Sequence, residues 1–134
     1  MSETKTLYVS DLDGTLLGAD SKISPTTAKI LTSLASHGVM VTPGTARSPA
    51  TVYFFMDKGC TLIYTDAKGQ LQCLPAIVMT GAALWDRFEC RFDSITLIPE
   101  DDARRILDTF QGESLRRFIY CLSGNSFLNV YHSA

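Results

Sequence analysis

A short run of β-branched and aromatic residues, Thr6-Leu-Tyr-Val-Ser10, opens at once into a polar, glycine-containing turn, Asp11-Leu-Asp-Gly-Thr15. The residue types and length of the run predict a buried strand over residues 5–10. From there the chain repeats a two-element unit. Ser24-Pro25 puts a capping hydroxyl at the N-cap and proline at the first helical position. Ala28, Leu31, Leu34 and Ala35 recur at helical spacing, and Gly38 supplies a stop after His37, so a helix is expected over 25–37. Val39 to Thr42 reads as a second strand. Ser48-Pro49 begins a second helix that runs to Lys58 and stops at Gly59, and Thr61 to Thr65 reads as a third strand. Strand, helix, strand, helix, strand predicts right-handed crossovers in a parallel sheet. Such sheets bind ligands beyond the carboxyl ends of their strands, and Asp11, Asp13 and Thr45 all fall at those ends.

Beyond this unit the pattern changes. Ala67-Lys-Gly-Gln70 reads as the turn of a hairpin, and Ala76 to Met79 as an apolar strand followed by a Thr80-Gly81 turn. Ala82 to Trp85 and Ser94 to Ile98 are expected to pair as an antiparallel extension. Pro99-Glu-Asp-Asp102 opens a helix with acidic residues in its first turn, where they complement the helix dipole, and Ala103, Ile106, Leu107 and Phe110 give it one apolar stripe. Phe118 to Leu122 and Phe127 to Tyr131 read as two strands around Ser123-Gly-Asn125. A domain boundary is expected near Ile98-Pro99, separating residues 1–98 from 99–134.

Composition narrows the function classes. Hydrophobic residues make up 46% of the 134, which suits a packed core rather than disorder. With a net charge of −2 and no basic cluster, no nucleic-acid partner is expected. Arg104-Arg105 and Arg116-Arg117 read as solvated faces, with anion contacts as the alternative. No apolar run has the length of a membrane span, and the first six residues lack the apolar stretch of a signal peptide, so a soluble, cytoplasmic protein without a membrane partner is expected. Cys60, Cys73, Cys90 and Cys121 form no C-x-x-C pair and no metal-finger spacing. They read as reduced, small apolar residues in strands.

Two carboxylates one residue apart, with Gly14-Thr15 directly after them, combine three properties. They attract a hard divalent cation, the glycine lets backbone approach an anion, and the N–H groups of a turn after a strand cradle phosphate. Phosphoryl transfer needs a placed nucleophile, neutralised phosphate oxygens and a protonated leaving group, and an aspartate serves as nucleophile by forming an aspartyl-phosphate. A bare D-x-D is also what a turn after a strand contains. The strand before it and Gly-Thr-Leu-Leu after it favour the chemical reading. A calcium loop of the EF-hand type fails on spacing, because its sixth and twelfth positions, counted from Asp11, hold Leu16 and Lys22. No P-loop occurs. A receiver module would need an acceptor aspartate at the end of a later strand, where Thr42-Pro43-Gly44 stands instead.

Asp11-Leu-Asp-Gly-Thr-Leu-Leu17 resembles the first motif of the haloacid dehalogenase (HAD) superfamily. Ile23-Ser-Pro25 and Thr42-Pro-Gly-Thr-Ala-Arg-Ser48 are similar to the next segments of its Cof-type sugar-phosphate phosphatases, and Ala76-Ile-Val-Met-Thr-Gly-Ala-Ala83 to their later strand and N-G-A turn. The resemblance runs through essentially the whole chain. It implies an α/β fold: a Rossmann-like parallel-sheet HAD core, here partial, with the beginning of an α+β cap domain. It also implies a magnesium-dependent phosphatase acting on a small phosphorylated metabolite. Asp11 would be the nucleophile and a metal ligand. Asp13 would be the general acid/base and would offer its backbone carbonyl to the metal. Leu12, Gly14 and Ala46 would line the phosphate loops, Thr45 would bind the transferring phosphoryl group, and Arg47 would lie near the substrate, where its guanidinium suits phosphate. A backbone cap for Thr45 and a surface ion pair for Arg47 are the alternatives.

The chain departs from the family pattern in two places. Thr80 stands where asparagine is usual. The third-motif lysine and the fourth-motif Gly-Asp with its further acid are missing, and Lys58 and Lys68, the lysines after Thr45, sit at a helix end and in a turn. The chain therefore reads as a front half, with open sheet edges that favour self-association.

Overall fold

The computed structural model describes residues 6–56, 63–65, 71–111, 118–123 and 127–132. The chain divides into two compact units, Met1–Ile95 and Thr96–Ala134. The first begins with β1 (Leu7–Ser10), α1 (Pro25–Ser36) and β2 (Met40–Pro43). β1 and β2 pair in parallel, Leu7 with Met40 through Ser10 with Pro43, so the two strands end at the same level. The crossover is a well-terminated helix. The Ser24 hydroxyl accepts the Thr27 N–H at 3.0 Å, a cap that stabilises by about 1 kcal/mol. At the other end the Gly38 N–H donates to Ala35 and the Val39 N–H to Leu34, the paired bonds of a Schellman motif. Leu31 is buried against Ile23, Ala28 and Val41, which fixes the helix on the strand after it.

β1 is expected from its residues to be buried and is not. Leu7, Tyr8 and Val9 are 47%, 55% and 52% exposed. Among the described residues the strand pairs with β2 alone, and a strand of a parallel sheet is shielded only when both faces carry helices.

The third parallel strand is also corrected. After α2 (Pro49–Met56), β3 (Ile63–Thr65) pairs antiparallel with β4 (Leu71–Cys73) rather than joining β1 and β2. Two three-residue strands joined by a short connection pair as a hairpin, because an antiparallel partner needs no crossover. The expected turn at 67–70 and the end of the second helix at Lys58 lie outside the described residues. The parallel neighbour of β2 is instead β5 (Ala76–Val78), through a bridge between Gly44 and Ile77. A buried Thr42 hydroxyl reinforces it, donating to the Pro75 carbonyl at 2.6 Å.

β5 continues into β6 (Ala83–Asp86) and β7 (Arg91–Ile95), an antiparallel meander. Ala76, Val78, Ala83, Trp85 and Phe92 form its buried face, and the Trp85 and Phe92 rings meet edge to face with centroids 4.8 Å apart. The Asp86 carboxylate accepts the N–H groups of Phe88 and Glu89 and so closes the β6–β7 turn. Cys90 ends that turn, exposed and with φ at 49°, so the expectation of a small apolar strand residue fails there. Cys121 lies in a strand but is exposed.

In the second unit α3 (Glu100–Thr109) starts at Pro99, as its acidic first turn predicts, and β8 (Phe118–Ser123) pairs antiparallel with β9 (Phe127–His132). Arg104 pairs with Glu100 and Arg105 with Asp102 on the exposed helix surface, the solvated-face reading of these arginines. Arg116 and Arg117 lie outside the described residues. No helix among the described residues is long and apolar enough to cross a membrane.

Where β2 ends, backbone and side chain meet closely. A Cβ built on Gly44 would stand 2.8 Å from Val9 Cγ1 on the neighbouring strand. Gly44→Ala is therefore expected to destabilise the chain by about 1–3 kcal/mol, as overpacking does. Adding Val9→Ala should recover part of the loss. Urea unfolding of the two single variants and the double variant measures that coupling.

Candidate active site

Because β1 and β2 end together, the loops after them leave from the same edge. The Gly44 N–H still donates to the Ser10 carbonyl at 2.8 Å, which carries the pairing one residue past β2. The first loop then folds over a buried Leu12, whose carbonyl accepts N–H groups from Thr15 at 3.3 Å and Leu17 at 2.8 Å. Burying Leu12 between two exposed carboxylates turns Asp11 and Asp13 out to solvent. Gly14, beside them, takes a φ of 76°.

The second loop is held from beneath. The Thr45 N–H donates to Ile77 of β5 at 2.9 Å, and its carbonyl accepts the Thr80 N–H at 3.1 Å. The Arg47 carbonyl accepts the Met79 N–H at 3.0 Å. Thr45 is 5% exposed, and its hydroxyl accepts the Arg47 N–H at 3.2 Å, so the backbone-cap role is present. Ala46 between them is exposed. The clamp below is a 3-10 turn, Met79–Gly81, in which Met79, Thr80 and Gly81 all have positive φ, at 55°, 59° and 90°. The sequence marks this segment as a turn. It does not reveal that the turn's N–H groups hold the Thr45–Arg47 loop, and the asparagine usual at position 80 is the available signal, since asparagine tolerates left-handed backbone.

Arg47 joins the two loops. Its Nε donates to Asp13 Oδ2 at 2.7 Å and its Nη2 to Asp13 Oδ1 at 2.5 Å, a two-pronged pair across 34 residues of sequence. The Asp13 and Arg47 side chains are 53% and 23% exposed. The hydrogen bonds from Arg47 hold the Asp13 carboxyl below the usual aspartate range, and the same bonds raise Arg47. The ion-pair alternative for Arg47 is thus realised, but with Asp13 as its partner.

Asp11 and Asp13 offer the hard oxygen donors that magnesium takes. That ion is commonly held by one or two carboxylates, with water and substrate phosphate completing its octahedron. The donor set fits in kind. Among the described residues no group of three His, Cys, Asp or Glu side chains gathers, and Arg47 engages the Asp13 carboxylate, so the Asp11 carboxylate and the Asp13 backbone carbonyl are the donors on offer there.

Residues 8–132 match the family model of haloacid dehalogenase-like hydrolases. The chain belongs to this family. Among curated proteins there is no significant sequence match. Solved structures share the α/β fold. A haloacid dehalogenase-like hydrolase from B. subtilis superposes with a TM-score of 0.66 at 23% identity, over 86% of this chain and 36% of its own. Another from Bacteroides thetaiotaomicron gives 0.66 at 14% identity, over 87% and 41%. From the same organism, a phosphatase of the HAD enzyme superfamily gives 0.63 at 20% identity, over 94% and 41%. The chain thus spans about two fifths of the length of these HAD-like structures.

The clamp and the ion pair each carry an expected outcome. A β-branched residue in left-handed backbone stores about 1–2 kcal/mol. Thr80→Asn is expected to return part of that, visible as a higher urea midpoint. For Asp13, a lowered folded pKa means a stabilising contribution fully present above the ordinary aspartate value of about 3.9 and lost as pH falls through the folded value. The carboxyl carbon of Asp13, monitored by NMR, should titrate below the ordinary aspartate range and return to it in Arg47→Met.

Proposed function

We propose that the chain carries the phosphoryl-accepting part of a magnesium-dependent phosphomonoesterase that acts on small phosphorylated metabolites such as sugar phosphates. The observation that carries this reading is the pairing of the two loops: a carboxylate pair after β1 and a threonine–arginine pair after β2 at one edge of a parallel strand pair, bridged by Asp13 and Arg47. This edge is where open α/β sheets bind ligands. Membership of a hydrolase family supports it.

In this reading Asp11, exposed at the strand end, attacks phosphorus and takes the phosphoryl group as an aspartyl-phosphate. Asp13, once released from Arg47 and in its neutral form, gives its proton to the leaving oxygen, and then as the carboxylate takes one from the water that hydrolyses the acyl phosphate. The Thr45 hydroxyl hydrogen and the Arg47 guanidinium bind phosphate oxygens, and backbone N–H groups around Gly14 complete the cradle. Asp11 and Asp13 would hold magnesium, which when bound neutralises charge on the phosphate oxygens.

A second reading is favoured by the few metal donors among the described residues and by the span of two fifths of the related structures. In it the chain by itself binds phosphate and magnesium without turnover, and the edge of β1 that no described residue pairs associates with other copies.

One assay separates the two readings. Hydrolysis of a generic phosphomonoester is measured with and without magnesium, for the chain and for Asp11→Asn. Magnesium-dependent turnover that falls to background in Asp11→Asn is the expected result for the enzyme. Phosphate binding by calorimetry with no turnover gives the second reading. Turnover that survives Asp11→Asn sinks the nucleophile assignment.

A further inference from the structure

We infer that Asp13 and a phosphate group compete for one edge of the Arg47 guanidinium, so that phosphate enters this site by displacing the Asp13 carboxylate. The inference rests on the phosphate-binding reading above and adds how that binding is controlled. Arg47 presents its Nε and Nη2 to the two oxygens of Asp13, at 2.7 and 2.5 Å. That fork is the edge of arginine that matches carboxylate and phosphate alike. A phosphate seated beside Asp13 on another part of the guanidinium would place like charges within a few ångströms of each other, which displacement avoids.

The backbone around the pair makes the exchange local. Arg47 is held on both sides, its N–H by the Thr45 hydroxyl and its carbonyl by the Met79 N–H. On the other side, Leu12 is buried and its carbonyl is bonded twice. With the main chains pinned and both side chains partly in solvent, opening the pair needs rotation of side chains, not movement of a loop. Asp13 thereby has a second role, as the internal anion that sets the affinity of Arg47 for an external one. When phosphate takes the fork, both Asp13 oxygens are released and the half-exposed side chain turns away to solvent.

The test uses inorganic phosphate on the full 134-residue chain, without magnesium. Calorimetry compares Asp13→Asn with Asp11→Asn. Each removes one negative charge from the same loop, so the general electrostatic gain is common to both, and only the first removes the competitor. Asp13→Asn is expected to bind phosphate about tenfold more tightly than Asp11→Asn, the change that about 1.4 kcal/mol produces. Equal affinities would overturn the competition while leaving the phosphate site in place.

A second measurement needs no variant. In the wild-type chain the Arg47 Nε–H resonance and the Asp13 carboxyl carbon are tracked as phosphate is added. Both are expected to move with one midpoint. Movement of Arg47 alone means that phosphate joins the pair rather than displacing Asp13, and the inference fails by itself. No movement of either, with no heat from either variant, removes the phosphate site and the inference together.

Discussion

The parallel register of β1 with β2 is the constraint on which the rest depends. Ser10 lies opposite Pro43, and the Gly44 N–H reaches back to the Ser10 carbonyl. Parallel strands need a crossover, so roughly thirty residues separate the two loops along the chain while their starts are neighbours in space. A slip of one residue would turn every side chain of β1 to the other face and carry Asp11 and Asp13 away from Arg47. The close approach of Gly44 to Val9 resists that slip, because the contact leaves no room for a side chain on the residue that sets the level.

Register alone would bring two loops together without fixing either. The first is fixed from within, by burial of Leu12 and Leu17 and by the two hydrogen bonds to the Leu12 carbonyl. The second is fixed from outside, by β5 and the turn after it, which supply Ile77 as acceptor and Met79 and Thr80 as donors. Three successive residues of positive φ are a costly way to end a strand. The cost has a visible return, since the turn aims two N–H groups at the carbonyls of Thr45 and Arg47. Conformational strain in one segment and orientation of the Thr45–Arg47 loop are two sides of the same geometry.

Charge completes the arrangement. Asp11, Asp13 and Arg47 stand at one strand edge, and the guanidinium answers Asp13 through two directed bonds while Asp11 faces solvent. Exposed pairs contribute little to stability in general, so the interest of this one lies in selectivity: it settles which carboxylate is committed and which is open to a ligand. Two carboxylates one residue apart are thereby set in different environments, a division made by surroundings rather than by residue type.

Much of this is written in local sequence. The Ser24-Pro25 start and Gly38 stop of α1, the acidic start of α3, the β8–β9 pairing and the Asp-Leu-Asp-Gly-Thr turn are short-range patterns, decided by capping, backbone geometry and alternation over a few residues, and they can be read one window at a time. The position of Asp11, Asp13 and Thr45 at strand ends comes from the same patterns. Partner choice does not. Ile63–Thr65 has the composition of a third parallel strand yet pairs with Leu71–Cys73, and Ala76–Val78 takes the place beside β2, because a short strand's pairing is fixed by loop length and neighbouring surface rather than by its own residues. The exposure of Leu7, Tyr8 and Val9 likewise depends on what covers them, which an apolar run does not encode. The sequence by itself determined which functional groups stand at the strand ends, since carboxylate, hydroxyl and guanidinium are fixed by side-chain identity. Only the tertiary structure decided that Arg47 grips Asp13 rather than Asp11, since a 2.7 Å hydrogen bond between residues 34 positions apart exists only once register and clamp have set both loops.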